Sequence, residues 1–248
     1  MLLHNVKMPA SQKHGFFWEN AIRTLVFGLS KEANNTATHD IPSSLNKFNS
    51  NENISIKVTG STSIDCADII RFFSYDHTNY KHTLVCIKYT QQGASKVVKR
   101  IYEFDYSQKM HDYLFGTLTS QELIDYVKLI KSIPKGKVGK ELKAKYVSEK
   151  KRLQIEHNMR INISPKVDSK AQRRVQCSIP KFEETLAQFL LYHSPTNDPT
   201  LLRGVKLPDK LCSDKRIRNK KVVFSLTNTA ENIVNEVVER LISCCIQE

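Results

Sequence analysis

No stretch of these 248 residues approaches the roughly 18 consecutive apolar positions of a membrane-spanning helix. The opening MLLHNVKMPA lacks the charged start and continuous apolar centre of a secretory signal. The expectation is a soluble, intracellular or cytoplasmic protein with no membrane partner. Six cysteines (Cys66, Cys86, Cys177, Cys212, Cys244, Cys245) contain no C-x-x-C pair, which argues for reduced thiols over structural zinc. Glycine is scarce, eight in all, and Gly93, Gly136, Gly139 and Gly204 form neither a Walker loop nor a dinucleotide loop. The run K-G-K-V-G-K lacks the G-x-x-x-x-G-K-[ST] spacing. The eight histidines show no H-x-x-x-H spacing. No small-molecule cofactor is therefore expected.

What is present in excess is positive charge, +13 at neutral pH. Its distribution says more than its size. Between Lys131 and Lys181 fifteen Lys and Arg stand against four acids, and between Lys206 and Lys221 seven stand against two. The remainder is mildly acidic. A basic half beside an acidic half suggests a surface for a polyanion, and nucleic acid is the partner that fits it. Membrane binding ranks lower, because no helix pairs this charge with a strong apolar face.

A chain of this length can bury a sizeable core. One α/β domain is expected, with residues 1–130 as a catalytic core half and 131–248 as a basic, DNA-binding half. Helical spacing of Phe17, Ala21 and Leu25 and of Trp18, Ile22 and Val26 predicts an opening helix over His14–Leu29, with Glu19 and Arg23 on its other face. HDIPSS reads as extended, since the residue before Pro42 avoids helix. Asn53–Val58 alternates like a strand. ADIIRFFSYD fits a short helix or a buried strand. HTLVCIKYT and KVVKRIYEFDY read as a hairpin turning at QQGAS. TSQE is a capping box that starts a helix running to Ile133, and a charged helix follows over Glu141–His157. RINIS and RRVQCSI read as strands, PKFEETLAQFLLYH as a helix, Lys221–Leu226 as a strand and Thr229–Ile246 as a closing helix.

On the strand that contains ISIK, Asn53, Ser55 and Lys57 point away from the core, while Ile54, Ile56 and Val58 point into it. A short polar segment lets Asp40 lie beside Lys57. A carboxylate that binds Mg²⁺ next to a lysine that orients or deprotonates water is the equipment for phosphodiester hydrolysis. A surface aspartate and a lysine on an edge strand is the plainer reading.

Helix with Glu19 in HGFFWENAIR, then Asp40 in HDIP, then a strand ending in ISIK: this order resembles the PD-(D/E)XK nuclease superfamily, in particular its type II restriction endonuclease-like members. The resemblance covers about the first hundred residues. It implies a central mixed β-sheet flanked by α-helices, Mg²⁺ as cofactor and cleavage of double-stranded DNA at specific sites, leaving 5′-phosphate ends. It makes Glu19 the helical glutamate, Asp40 the metal aspartate and Lys57 the catalytic lysine. Ser55 stands where the family places its second acid, so the metal needs help from Glu19, from Asp68 or from the Ile56 carbonyl. A rival register uses Asp68 with Cys86–Lys88. A homodimer would match a palindromic site by symmetry.

In the basic half, Arg174, Gln176 and Ser178 share one face of the RRVQCSI strand and Arg173, Val175 and Cys177 the other. Arg173, Arg174 and Gln176 are candidates for reading base edges. Lys166, Lys170 and Lys181 are candidates for phosphate contacts, which position without reading sequence. Two competing expectations are a non-catalytic nucleic-acid-binding protein and an RNA nuclease on the same scaffold.

Overall fold

The computed structural model describes residues 10–29, 38–93, 95–136, 138–168, 172–218 and 221–226. Helix α1 (Ala10–Ala21) continues as a π-helical turn over Ile22–Val26, and the predicted apolar stripe is buried at Trp18, Ala21, Ile22 and Val26. Ile41 then makes an antiparallel bridge to Ile54, exchanging hydrogen bonds of 3.0 and 2.8 Å. Next come β1 (Glu52–Thr59), β2 (Ile64–Asp68), α2 (Ile69–Phe73), β3 (Lys81–Gln92) and β4 (Ser95–Asp105). Three helices follow: α3 (Gln108–Phe115), α4 (Ser120–Lys131) and α5 (Lys140–Glu156). The second half adds β5 (Asn162–Val167), β6 (Arg173–Ile179), α6 (Phe182–Thr185), β7 (Leu190–His193), β8 (Leu201–Leu202), β9 (Val205–Lys206), β10 (Lys210–Arg218) and β11 (Lys221–Leu226).

The largest sheet runs β1-β3-β4-β10-β11, with β7 also pairing β4. It is mixed: β1 and β3 are parallel, from Glu52 opposite Lys81 to Thr59 opposite Lys88, and the other pairs are antiparallel. Alternation along its central strands divides the core. Leu84, Cys86, Tyr102 and Phe104 face a large apolar layer that includes α2, α3, α4 and the buried faces of β2 and β6. Val85, Ile87 and Ile101 face a smaller layer holding Trp18, Ile22, Ile54 and Ile56. A three-stranded sheet, β2-β6-β5, lies on the side of the larger layer. The protein is thus of mixed α/β class, with a mixed sheet and flanking helices. No helix among the described residues is long and apolar enough to cross a membrane.

The capping box forms as expected: the Thr119 hydroxyl accepts from the Glu122 N–H, and the Glu122 carboxylate accepts from the Thr119 N–H. ADIIRFF resolves to the short helix α2, because the Asp68 carboxylate accepts the Arg71 N–H and starts it. Gly116 is required where it stands. Its φ is +61°, and a Cβ there would lie 1.7 Å from the His157 carbonyl oxygen.

Two expectations are corrected. PKFEETLAQFLLYH is not one helix: α6 stops at Thr185, a 3₁₀ turn covers Ala187–Phe189, and Leu190–His193 becomes β7. The far edge of β4 takes this segment as a partner, with Tyr102 opposite His193, and that pairing overrides local helix preference. Nor is β1 half-exposed. Asn53 and Ser55 are as buried as Ile54 and Ile56, because a second layer covers the face on which they sit. The closing helix over Thr229–Ile246, with Cys244 and Cys245, lies outside the described residues.

Candidate functional site

Three separated segments meet at the open edge of β1. The bridge from Ile41 to Ile54 sets the preceding residue, Asp40, beside Ile56, whose N–H donates to Asp40 Oδ2 at 2.5 Å. Lys57 follows, with its Nζ 4.0 Å from the same carboxylate oxygen. From the π-turn after α1, Arg23 donates to the Asp40 carbonyl and fixes the segment from behind. Glu19, one turn earlier, lies close enough for Asp40 and Lys57 to shift its titration in opposite senses. The nuclease resemblance grouped Glu19, Asp40 and Lys57; the fold pairs Asp40 with Lys57 and sets Glu19 within electrostatic range of both.

Electrostatics acts on Glu19 and on Lys57. Burial first, and then the charge of Asp40, push the Glu19 carboxyl up to about 7, against the pull of Lys57 and Arg23. Burial works against the Lys57 ammonium, but Asp40, helped by Tyr75 and Cys66, more than offsets it and holds the proton above the usual lysine range. Lys57 is therefore a cation at neutral pH and is not a base. Lys57 and Asp40 keep 19% and 25% of their side chains exposed, so both meet solvent.

Ser55 and Asp68 have other partners. Ser55 Oγ is 2.8 Å from the Tyr75 hydroxyl, and Asp68 is exposed and caps α2. Among the described residues no three His, Cys, Asp or Glu side chains converge as a metal-holding group, so Asp68 does not complete a set with Glu19 and Asp40. The rival register is not assembled either, because Lys88 pairs with Glu183.

The residues assigned to the basic half divide. Arg173 does not face a ligand. Its guanidinium donates to the carbonyls of Ile133, Pro134, Gly136, Asp168 and Gln172, clamping the turn between α4 and α5 to the start of β6. Arg174, Gln176 and Ser178 do share the outer face, while Val175, Cys177 and Ile179 are buried. Lys166 lies opposite Arg174 and is exposed. Lys181, at φ +43°, forms an exposed ion pair with Glu184 at 3.8 Å. Lys170 lies outside the described residues. We expect Arg173→Ala to cost about 1.5–3 kcal/mol in urea unfolding, as lost charged hydrogen bonds do. Arg174→Ala should stay within about 0.5 kcal/mol of the parent.

Sequence reasoning missed an aromatic and histidine cluster behind the site. The Tyr75 ring lies 4.4 Å from His39 and 4.9 Å from His82, centroid to centroid, and His77 lies 5.0 Å from His82. The residues are scattered over positions 39–82, and no local spacing marks them. His82 Nε2 donates to the Asp76 carbonyl at 2.9 Å. His82 Nδ1, His39 Nδ1 and both His77 ring nitrogens are buried with no hydrogen-bond partner among the described residues. Burial, with the neighbouring histidine second, lowers His39 and His77 to about 4. Between about 6.5 and about 4 the unfolded chain then binds protons that the folded chain refuses, so stability falls as pH falls through that window. Glu19 acts in the opposite sense, gaining stability as pH drops through about 7. Comparing melts of the parent and His77→Phe at pH 7.5 and 5 isolates the histidine effect: the variant should lose less melting temperature on acidification. An equal loss would refute it.

Comparison with protein-family models, with curated proteins and with solved structures finds no match to this chain in any of the three.

Proposed function

We propose that this protein is a Mg²⁺-dependent endonuclease that hydrolyses phosphodiester bonds of double-stranded DNA, of the PD-(D/E)XK, type II restriction-like kind. The observation that carries the reading is the placing of Lys57 4.0 Å from Asp40 at one strand edge, with Glu19 near enough for both charges to act on its titration. The donor set suits the metal. Glu19 and Asp40 supply hard oxygens, and the Ile56 carbonyl lies on the same open edge as its N–H. Mg²⁺ commonly takes only one or two carboxylates and keeps waters and substrate phosphate for its other positions. When bound, it would neutralise phosphate charge and acidify a water.

The chain's own residues do the rest. Asp40, tied by the Ile56 N–H and by its own carbonyl to Arg23, is held at a fixed place along β1. The Lys57 ammonium faces the charge that builds on the phosphate oxygens as the water attacks. The exposed basic side chains Lys166 and Arg174 hold the nucleic-acid backbone, which makes binding steeply salt-dependent.

Supercoiled plasmid incubated with and without Mg²⁺, beside Asp40→Ala, tests the reading. Discrete metal-dependent fragments that the variant fails to give support it. Retardation without cutting would favour a non-catalytic binder, a reading to which the Ser55–Tyr75 contact lends weight, since no second acid stands there. Degradation of RNA alone would move the substrate to RNA.

A further inference from the structure

The outer face of the β2-β6-β5 sheet holds a concave site of which the catalytic reading uses only the rim lysine, Lys166. Strand β1 runs on past Lys57 through Val58 and Thr59 to the rim of a cavity of about 230 Å³. Register aligns its floor: Gln176 on β6 stands opposite Ser164 on β5, and Ser178 stands opposite Asp65 on β2. Lys166 closes one end. The wall is the turn after β1, where the Thr59 and Ser61 hydroxyls both donate to the Ser63 carbonyl, at 2.7 and 3.1 Å. That turn satisfies itself and is held rigid. The floor does not: among the described residues the side chains of Ser164, Lys166, Gln176 and Ser178 have no hydrogen-bond partner, and Asp65 uses one oxygen on the Ala67 N–H at 2.8 Å.

Unpaired donors and acceptors converging on a concavity next to a phosphate-directed lysine select for a ligand with a polar planar edge and an anionic tail. We infer that this cavity binds a single unstacked adenine nucleotide, with the base edge on Gln176 and Asp65 and the phosphate on Lys166. The Gln176 amide offers one donor and one acceptor side by side, the complement of the adenine N6 and N7 pair. The free Asp65 oxygen accepts only, so it favours an exocyclic amine over a carbonyl. Ser164 and Ser178 flank the base and adjust to it as donor or acceptor. The volume lies below the roughly 300–1,000 Å³ of sites for larger cofactors, which suits one base and its phosphate. A base inside a duplex cannot enter, so the site engages a strand that is single or locally opened.

The ligand class rests on the nucleic-acid reading above, whereas the pocket geometry does not. The test separates the two by working in EDTA, where no metal-dependent cutting occurs. Fluorescence anisotropy with labelled single strands dA8, dT8 and dC8 should show dA8 bound about tenfold more tightly than dT8, the order of one good bidentate contact, and also more tightly than dC8, whose smaller ring carries its amine short of Asp65 when its phosphate sits on Lys166; dC8 bound as tightly as dA8 overturns the adenine assignment. Gln176→Leu should remove that preference, while Arg174→Ala weakens all three strands alike. Displacement of dA8 by free dAMP at millimolar concentration would assign the pocket to nucleotides in general; failure of dAMP to compete would assign it to a base within a strand. Equal affinity for the three strands, or an adenine preference that survives Gln176→Leu, overturns the inference. Adenine preference with uncut plasmid in Mg²⁺ removes the nuclease reading alone, and cut plasmid with no base preference removes the pocket alone.

Discussion

On the nuclease proposal, Lys57→Met should lower DNA cleavage by about 10²–10³-fold while leaving DNA binding in EDTA within a factor of about two, because it removes the charge that the proposal sets against the reacting phosphate and little else. The aliphatic stem is kept, so packing against the buried surface of β1 survives. Asp40 loses its cation but keeps the Ile56 N–H, and the Asp40–Ile41 segment stays in place through the Ile54 bridge. The protonation state sets the form of the result. Asp40 holds the Lys57 ammonium charged above the usual lysine range, so a group that merely removes a proton from water cannot replace it. Lys57→Arg should therefore retain part of the activity and Lys57→His at pH 8 little of it. Single-turnover cleavage of plasmid measures both. Equal activity of the Lys57→Met variant would mean that the Asp40–Lys57 pair only ties down a sheet edge.

Asp40 and Lys57 were legible in the sequence because local rules place them, whereas Glu19 joined them only through the nuclease resemblance. Pro42 forces the segment around Ile41 to be extended, and the alternation of ISIK makes a strand. An extended segment next to a strand edge pairs with it, so Asp40 lands two positions from Lys57. The partners that modify this group were not legible, because each depends on the far layer of the fold. Tyr75, on the loop after α2, reaches Ser55 only because the β2-β6-β5 sheet and α2 cover that face of β1. Arg173 was misread for the same reason. Strand alternation tells which way a residue leaves the backbone, not whether five carbonyls are waiting there. β7 was misread because the edge of β4, more than eighty residues earlier, decides its conformation. The basic charge marked the second half of the chain, yet only register shows which side chains on β5 and β6 stand side by side.

Arg203→Ala should be strongly destabilising, at about 3–5 kcal/mol in urea unfolding near pH 7, since it leaves buried carboxylates without their counter-charge. Arg203, at φ +49° in the turn between β8 and β9, donates to both oxygens of Glu52 at 2.9 and 3.0 Å and to Glu103 at 2.8 Å. Thr83 and Asn46 complete the bonding of Glu52, and the rings of Phe27 and Phe48 lie about 5.6–5.7 Å from the guanidinium. Burial alone would raise the Glu52 carboxyl, but Arg203 together with the Thr83 and Asn46 bonds holds it below its ordinary value. The sign follows. In the parent, this contribution is present above about pH 4.5 and is lost as pH falls through the lowered folded value. In Arg203→Ala, burial dominates, so Glu52 becomes a group that opposes folding as pH rises. The gap between variant and parent should thus be widest near pH 7 and narrow toward pH 4. Arg203→Ala paired with Glu52→Gln should recover part of the loss at pH 7, by removing the stranded charge. Glu52 opens β1, and Asn46 belongs to the segment that leads on from Asp40. A variant that still folds should therefore also cleave more slowly than its stability explains, as the strand edge that carries Lys57 loosens against the segment that carries Asp40.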